Sequence, residues 1–290
     1  MFEGSPHQED AAVAIAAAVE AGEAVRDLYE HAAASTYAKA DGSVVTDADF
    51  AADAIVRRVL AKRRPADAIL TEEGQDDSAR LVEHRCWIVD PIDGTQQFVE
   101  RTGDFDVLVA LAVDGEPVVA ASVQPSTGLL CVAVAGAGAW TGIAGVEDLE
   151  RVRYDAVPEP PRIATSIWFG APNNLGALDA IADRIGGSTV DHTRIGFTPR
   201  LFLGNRPCDA ILGFRTTGRD QFMAYEWDFA VGDLFIHEAG GCLTDLDGVR
   251  FRYNRMPPTF ARGLIATVSP ALHDRLLTAT RAELTERGLL

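Results

Sequence analysis

Apolar residues recur along this chain in two rhythms, and the change from one to the other marks out its elements. From Ala11 to Ala34, Val13, Ala17, Ala24 and Leu28 fall on one helical stripe. Ser5-Pro6-His7-Gln8 ahead of them predicts the start, with Ser5 as N-cap, Pro6 at the first position and Gln8 closing a capping box. Lys39 to Ser43 forms a turn and Val44-Val45 a short extended piece. Thr46 and Asp49, in a Thr-x-x-Asp pattern, then cap a second helix that carries Phe50, Ile55, Val56, Val59 and Leu60 to about Lys62. Beyond Pro65 short apolar runs take over. Ala68 to Leu70 and Trp87 to Val89 predict two strands, the first followed at once by Glu72-Glu73 and the second ending on Asp90. Val107 to Val113, Val118 to Val123 and Leu129 to Ala135, parted by Asp114-Gly115 and Ser126-Thr127-Gly128, predict an antiparallel meander, with glycine-rich Gly136 to Gly145 as a turn and edge.

The second half alternates more widely. Arg162 to Trp168 and Asp209 to Phe214 are strand-like and Asn173 to Ile185 helix-like. Glu226-Trp227-Asp228 opens a helix with Asp228 as its cap; Val231, Leu234, Phe235 and Ile236 follow, and Gly240-Gly241 stops it. Cys242 to Thr244 and Gly263 to Val268 predict strands, and Ser269-Pro270 starts a last helix with Leu272, Leu276 and Leu277 inward. The charged, proline-rich stretch from Glu147 to Pro161 is the expected boundary between an N-terminal half, residues 1–150, and a C-terminal half, residues 151–290. Helices and strands alternate in both, so the class is α/β or α+β with mixed sheets.

Charge narrows the function. The net charge of -17 over 290 residues argues against nucleic acid or an anionic membrane as partner, since both demand a basic face, while a phosphorylated small molecule stays open if metal supplies the positive charge. Cys86, Cys131, Cys208 and Cys242 are far apart and form no metal motif, as expected of reduced thiols in a cytosolic protein. The first residues carry acids where a signal peptide would be basic, and no apolar run approaches ~20 residues, so a soluble, cytoplasmic protein is expected.

The densest chemistry lies between Asp90 and Thr95. Pro91 stops the strand ladder, Asp93 follows Asp90 at a spacing of three, Gly94 permits a tight turn, and Thr95 adds a hydroxyl. Two carboxylates and a hydroxyl on one rigid turn suit a hard cation such as Mg²⁺, although Asp-Gly also serves as a plain turn. An EF-hand is excluded, because the twelfth position from Asp90 is Arg101. Glu72 joins Asp90 if the two strands are neighbours. Asp49 and Asp228 are accounted for equally by helix capping, and Lys39 by an ordinary surface lysine.

Taken in order, VVTDAD, TEEG, WIVDPIDGT and EWDFAVGDLFIHEAGG resemble the four motifs of the inositol monophosphatase family of Mg²⁺-dependent, lithium-sensitive phosphatases, across nearly the whole chain. The resemblance implies a layered αβαβα sandwich of the inositol monophosphatase and fructose-1,6-bisphosphatase type, with the metal site between the halves, and a homodimer. It also implies two or three Mg²⁺ ions, with Mn²⁺ as a substitute, held by Glu72, Asp90, the carbonyl of Ile92, Asp93 and Asp228. Thr95 paired with Asp49 is similar to the family's water-activating dyad, Glu72 sharing the catalytic role. Gly94 and Thr95 would meet the substrate phosphate, and Lys39 is similar to the lysine near the outer metal.

The chain departs from the family where the leaving group would sit. Gln96-Gln97 follows Thr95, and Arg194-Ile195-Gly196-Phe197-Thr198 shortens the usual arginine-to-glycine spacing and replaces a small residue by a ring. Gln221 stands where the inositol enzymes carry a glutamate. Gly196, Phe197, Thr198 and Gln221 are the expected leaving-group contacts, with the ring of Phe197 accounted for equally by a place in the core. Trp227-Asp228 preceded by Glu226, and Asp247 to Asn254, look more like the bisphosphate nucleotidase branch, and histidinol phosphate is another family substrate. The expected activity is hydrolysis of a small phosphorylated metabolite. The alternative from another class is a metal- or phosphate-binding protein without turnover.

Overall fold

The computed structural model describes residues 2–290 except 32–33, 40–41, 77, 147, 155–156, 158, 166–174, 192–196, 205, 215–221 and 262. In chain order its helices are α1 (Gln8–Glu30), α2 (Asp47–Arg63), α3 (Thr95–Val99), α4 (Leu175–Arg184), α5 (Glu226–Glu238) and α6 (Pro270–Glu286). Its strands are β1 (Thr36–Ala38), β2 (Val44–Thr46), β3 (Ala68–Thr71), β4 (Arg85–Asp93), β5 (Asp106–Val113), β6 (Glu116–Gln124), β7 (Leu129–Val134), β8 (Gly138–Ile143) and β9 (Glu150–Val152), then β10 (Arg162–Thr165), β11 (Ser188–Asp191), β12 (Ala210–Phe214), β13 (Phe222–Tyr225), β14 (Cys242–Thr244), β15 (Thr259–Ala261) and β16 (Gly263–Thr267).

Strands β3 to β9 form one sheet in sequence order, antiparallel throughout except for the parallel pair β3 and β4. Period-two alternation sorts its side chains onto two faces. Trp87, Val89, Val107, Val109, Leu111, Val119 and Val132 point to one face, where the alanine-rich sides of α1 and α2 cover them. Cys86, Ile88, Leu108, Ala110, Ala120 and Cys131 point to the other, under α5. A second sheet, ordered β11-β10-β12-β16-β14, presents Ala164, Ile211, Leu243, Leu264 and Ala266 to the opposite side of α5. Its outer face is closed by α4 and α6 through Leu178, Ile181, Leu272 and Leu276. The layers therefore run helix, sheet, helix, sheet, helix, the expected αβαβα sandwich.

Because α5 lies between two sheets, it turns apolar residues to both: Trp227, Phe229, Ala230, Val231, Leu234, Phe235 and Ile236 are all buried. Each large side chain so buried contributes roughly 1.5–3 kcal/mol. Gly232 gives this helix one flat spot, which the ring of Phe197 fills.

Three local expectations change. Ser5 does not cap α1; its Oγ accepts the N–H of His7 at 3.2 Å within a preceding turn, and His7 occupies the N-cap position without a side-chain bond. The buried side of α1 keeps Val13 and Ala17 and adds Ala11, Ala14, Ala18, Ala21 and Val25, while Ala24 and Leu28 are only half-buried. Residues 136–145 are not an edge: β8 pairs with β7 on one side and β9 on the other, so its glycines hide a true strand. The predicted strand from Arg162 keeps its described part, Arg162–Thr165, and residues 166–168 lie outside the described residues. Cys86, Cys131 and Cys208 are buried and Cys242 half-buried, all free, and burial pushes the first three thiols up to about 12. Among the described residues no helix is long and apolar enough to cross a membrane.

A Cβ at position 232 would stand 2.5 Å from the Phe197 ring, in a packed core with no room to move it. Gly232→Ala is therefore expected to lower stability by about 1–3 kcal/mol, with much of the loss recovered when Phe197→Leu is added. Urea denaturation midpoints check this, and an unchanged midpoint in the single variant would refute the packing.

Candidate functional site

Parallel pairing of β3 with β4 sets Thr71 opposite Val89, so the chain leaves β3 at Glu72 beside Asp90; the Glu72 N–H donates to the Val89 carbonyl at 3.3 Å. Between β4 and β5 the register slips. Asp90 faces Leu108 and Asp93 faces Asp106, three steps on one strand against two on the other. In a regular strand residues three apart point to opposite faces, and one extra residue brings them to the same side. Pro91, which cannot donate to the ladder, sits in the slip. The Ile92 N–H turns back to Asp90 Oδ1 at 3.0 Å.

Gly94 then takes a left-handed conformation, φ +97°, and a Cβ there would stand 2.9 Å from the Asp104 carbonyl, so the turn requires glycine. It delivers Thr95, whose Oγ lies 3.0 Å from Asp49 Oδ1 and 3.2 Å from the Ile92 carbonyl. Asp49 is 1% exposed and divides its oxygens. Oδ2 accepts the backbone N–H and the hydroxyl of Thr46 at 2.8 and 2.6 Å, completing the capping box of α2, and Oδ1 faces Thr95. The cap of α2 and the contact with Thr95 thus use different oxygens of Asp49.

Asp228 is not the N-cap of α5. Tyr225 holds that position, and Asp228, three residues on, accepts the Tyr225 N–H through Oδ2 at 2.7 Å. Lys39 reaches in from the β1–β2 ribbon and places Nζ 2.8 Å from Glu72 and 2.6 Å from Glu73. Burial works against its charge, but the two glutamates outweigh burial and raise its pKa. Glu73 belongs to the site although its sequence context marks only a solvated pair of glutamates; burial raises its pKa, with Lys39 opposing.

Burial and crowding dominate the electrostatics. Asp90, 2% exposed, is pushed well above the usual carboxylate range by burial and then by the charges of Glu72, Asp93 and Asp228. Asp93 is pushed up to about 7 by burial and then by Asp106, with Arg200 opposing. Asp228 is raised by burial, then by Asp93 and Glu72, and the Tyr225 N–H opposes. Burial also raises Asp49 against the hydrogen bonds of Thr46 and Thr95.

Among the described residues no three His, Cys, Asp or Glu side chains already stand as a finished metal shell. The donor chemistry nevertheless fits a hard divalent ion: the converging atoms are carboxylate oxygens, buried and in mutual repulsion, and the nearby cations Lys39 and Arg200 are each shared between two acids. A bound cation would relieve that repulsion.

The leaving-group residues divide. Gly196 and Gln221 lie outside the described residues. Phe197 is a core residue, 1% exposed and packed edge-on against Phe202 and Phe229, with no face left for a substrate. Thr198 is buried with Oγ1 in no hydrogen bond of ordinary length, near enough to Asp106 to favour that carboxylate. Gln97 is buried, and Gln96 is exposed and bonded to Glu100.

The sequence model of the inositol monophosphatase family matches residues 7–160. The chain belongs to the inositol monophosphatase family. Similar proteins carry different names. A histidinol-phosphatase of Mycobacterium tuberculosis is 30% identical over 84% of this chain and 87% of its own. A 3'(2'),5'-bisphosphate nucleotidase CysQ of Aggregatibacter actinomycetemcomitans is 30% identical over 85% of this chain and 90% of its own. A Streptomyces griseus protein named glucose-1-phosphate thymidylyltransferase is 33% identical over 72% of this chain and 76% of its own. Among solved structures, CysQ from Bacteroides thetaiotaomicron superposes with a TM-score of 0.74 at 26% identity, covering 91% of this chain and 98% of that one. Members of the inositol monophosphatase family are generally Mg²⁺-dependent phosphatases.

The raised carboxyls fix a sign for metal-free stability. Folded Asp90, Asp93 and Asp228 hold protons to higher pH than the unfolded chain, whose aspartates titrate near ~3.9. Their stabilising contribution is complete below that value and is lost as pH rises toward the folded pKa, about 7 for Asp93. In EDTA the melting temperature is expected to fall between about pH 5 and about pH 8, and Mg²⁺ to flatten the fall. A melting temperature that rises across this window without metal would contradict the assignment.

Proposed function

We propose that this protein is a Mg²⁺-dependent phosphomonoester hydrolase acting on a small phosphorylated metabolite, cytoplasmic as its reduced cysteines suggest and homodimeric as the resemblance implies. The observation that carries the proposal is the hydroxyl–carboxylate pair of Thr95 and Asp49 at 3.0 Å, one turn from the crowded carboxylates. Glu72, Asp90, the Ile92 carbonyl, Asp93 and Asp228 would hold the ions. Bound there, Mg²⁺ supplies charge neutralisation of the phosphoryl oxygens and acidifies water.

The chain's own groups do the rest. Thr95 donates its hydrogen to Asp49 and leaves a lone pair to orient an attacking water. Asp49, made more basic by burial, takes the proton through that hydroxyl. The backbone N–H groups of Gly94 and Thr95, fixed by the left-handed turn, would meet the phosphate oxygens, and Lys39 steadies Glu72. Such a base is worth about 10²–10⁴-fold, far short of the up to ~10²¹-fold by which enzymes speed phosphate-monoester cleavage. The clustered carboxylates are therefore needed as ion ligands. No side chain is required as a nucleophile.

Inositol phosphate, adenosine 3',5'-bisphosphate, histidinol phosphate and fructose bisphosphate, assayed side by side for phosphate release, decide the substrate among the family's branches. With the best of them, Asp93→Asn is expected to abolish Mg²⁺-dependent release and Thr95→Ala to lower kcat by about 10²–10⁴-fold. Undiminished turnover in either variant would dismiss the site, and metal and phosphate binding with no turnover on any substrate would favour the non-catalytic alternative. Li⁺ is expected to inhibit the wild type, and full activity in its presence would count against the mechanism.

A further inference from the structure

Two acids and one arginine beside the metal strand have no part in the mechanism above. Asp106, the first residue of β5, is the register partner of Asp93 and is 2% exposed. Arg200 lies on the short 3₁₀ turn Pro199–Phe202, directly after the expected leaving-group segment, and its backbone is anchored by buried Leu201 and Phe202. Its Nε donates to Asp106 Oδ2 at 2.7 Å and its Nη1 to Asp104 Oδ1 at 3.2 Å. The guanidinium is only 13% exposed, whereas Asp104 is half exposed. The buried partnership is therefore that of Arg200 with Asp106, on the flank of Asp93.

A carboxylate as enclosed as Asp106 needs a partner, because breaking a buried pair leaves an uncompensated charge. Here the charge would fall on the neighbour of an ion ligand. We propose that Arg200, acting through Asp106, is a positioning residue that fixes the charge beside Asp93 and so sets how tightly the carboxylate cluster holds a divalent cation. This rests on the metal-site reading given above.

The two members of the pair should then act with opposite signs on ion binding, which a merely structural pair would not do. Asp106→Asn keeps the shape, removes the acid and leaves the guanidinium facing Asp93 as a resident competitor for the cation. Arg200→Met removes the cation and leaves Asp106 adding to the negative field.

The test is the thermal shift of the full chain titrated with Mg²⁺ alone, without substrate. Asp106→Asn is expected to raise the half-saturating Mg²⁺ concentration about tenfold. Arg200→Met is expected to melt lower without metal while its half-saturating concentration stays the same or falls. The double variant should return to within about twofold of wild type. Should Arg200→Met fail to fold, Asp106→Asn and the double variant still decide. If Asp106→Asn melts lower but titrates as wild type does, or if Arg200→Met weakens Mg²⁺ binding, the inference is overturned and the pair is structural only. If the wild type itself shows no Mg²⁺-dependent shift, the metal site falls, and the inference with it; the first failure is distinguished because it is measured against a wild type that responds.

Discussion

Like charges repel, and the site depends on holding Asp90, Asp93 and Asp228 together with Glu72 against that repulsion in a place with little water. What brings the four together is the backbone that carries each. Asp90 and Asp93 are carried by the end of a strand paired on both sides, Glu72 by the end of its parallel neighbour, and Asp228 by the first turn of a helix enclosed between two sheets. Apolar burial in the layers fixes these backbones, and the carboxylates are brought together because the backbones are. Relaxation is blocked at the points where it would be easiest: a left-handed glycine against the Asp104 carbonyl, a backbone N–H on Asp90, another on Asp228.

Counter-charge is limited in the same way. Lys39 is shared by Glu72 and Glu73, and Arg200 by Asp104 and Asp106, so neither neutralises the cluster alone. An electrostatic deficit of this kind in a low-dielectric setting attracts a small ion of high charge far more strongly than exposed acids do. The layers set where these carboxylates lie, and under the proposed function that placement would prepare them for an ion.

Much of this was legible because it was local. Thr46 and Asp49 announce a capping box three residues apart, and the box forms. Two short apolar runs, each with an acid at or just past its end, left the sharing of a site conditional on their being neighbours, and β3 and β4 are neighbours. The family motifs are also local and carry the layered fold. What was hidden is what depends on distant partners or on which of two local options packing selects. Arg200 lies 94 residues from Asp106, and nothing around either residue names the other. Phe197 is a ring that could face a pocket or a core, and the flat spot at Gly232 on another element decides for the core. In β8, glycines that imitate a turn are overruled by hydrogen bonds from strands on both sides. Tyr225 takes the N-cap position that Asp228 would suit, because α5 begins on Glu226, the first acid of the Glu-Trp-Asp run, and Asp228 falls inside its first turn.

One detail ties folding to chemistry more tightly than the rest. Asp49 gives one oxygen to the start of α2 and the other to Thr95. The group that would accept the proton is thus part of the device that lets the helix begin. Under the proposed function, fraying of that first turn and loss of the base would be a single event, and the opening equilibrium of a few backbone amides would bound the fraction of molecules that is competent at any instant. The helix cannot drift in sequence without losing the base, and the base cannot be exchanged for another residue without unsettling the helix.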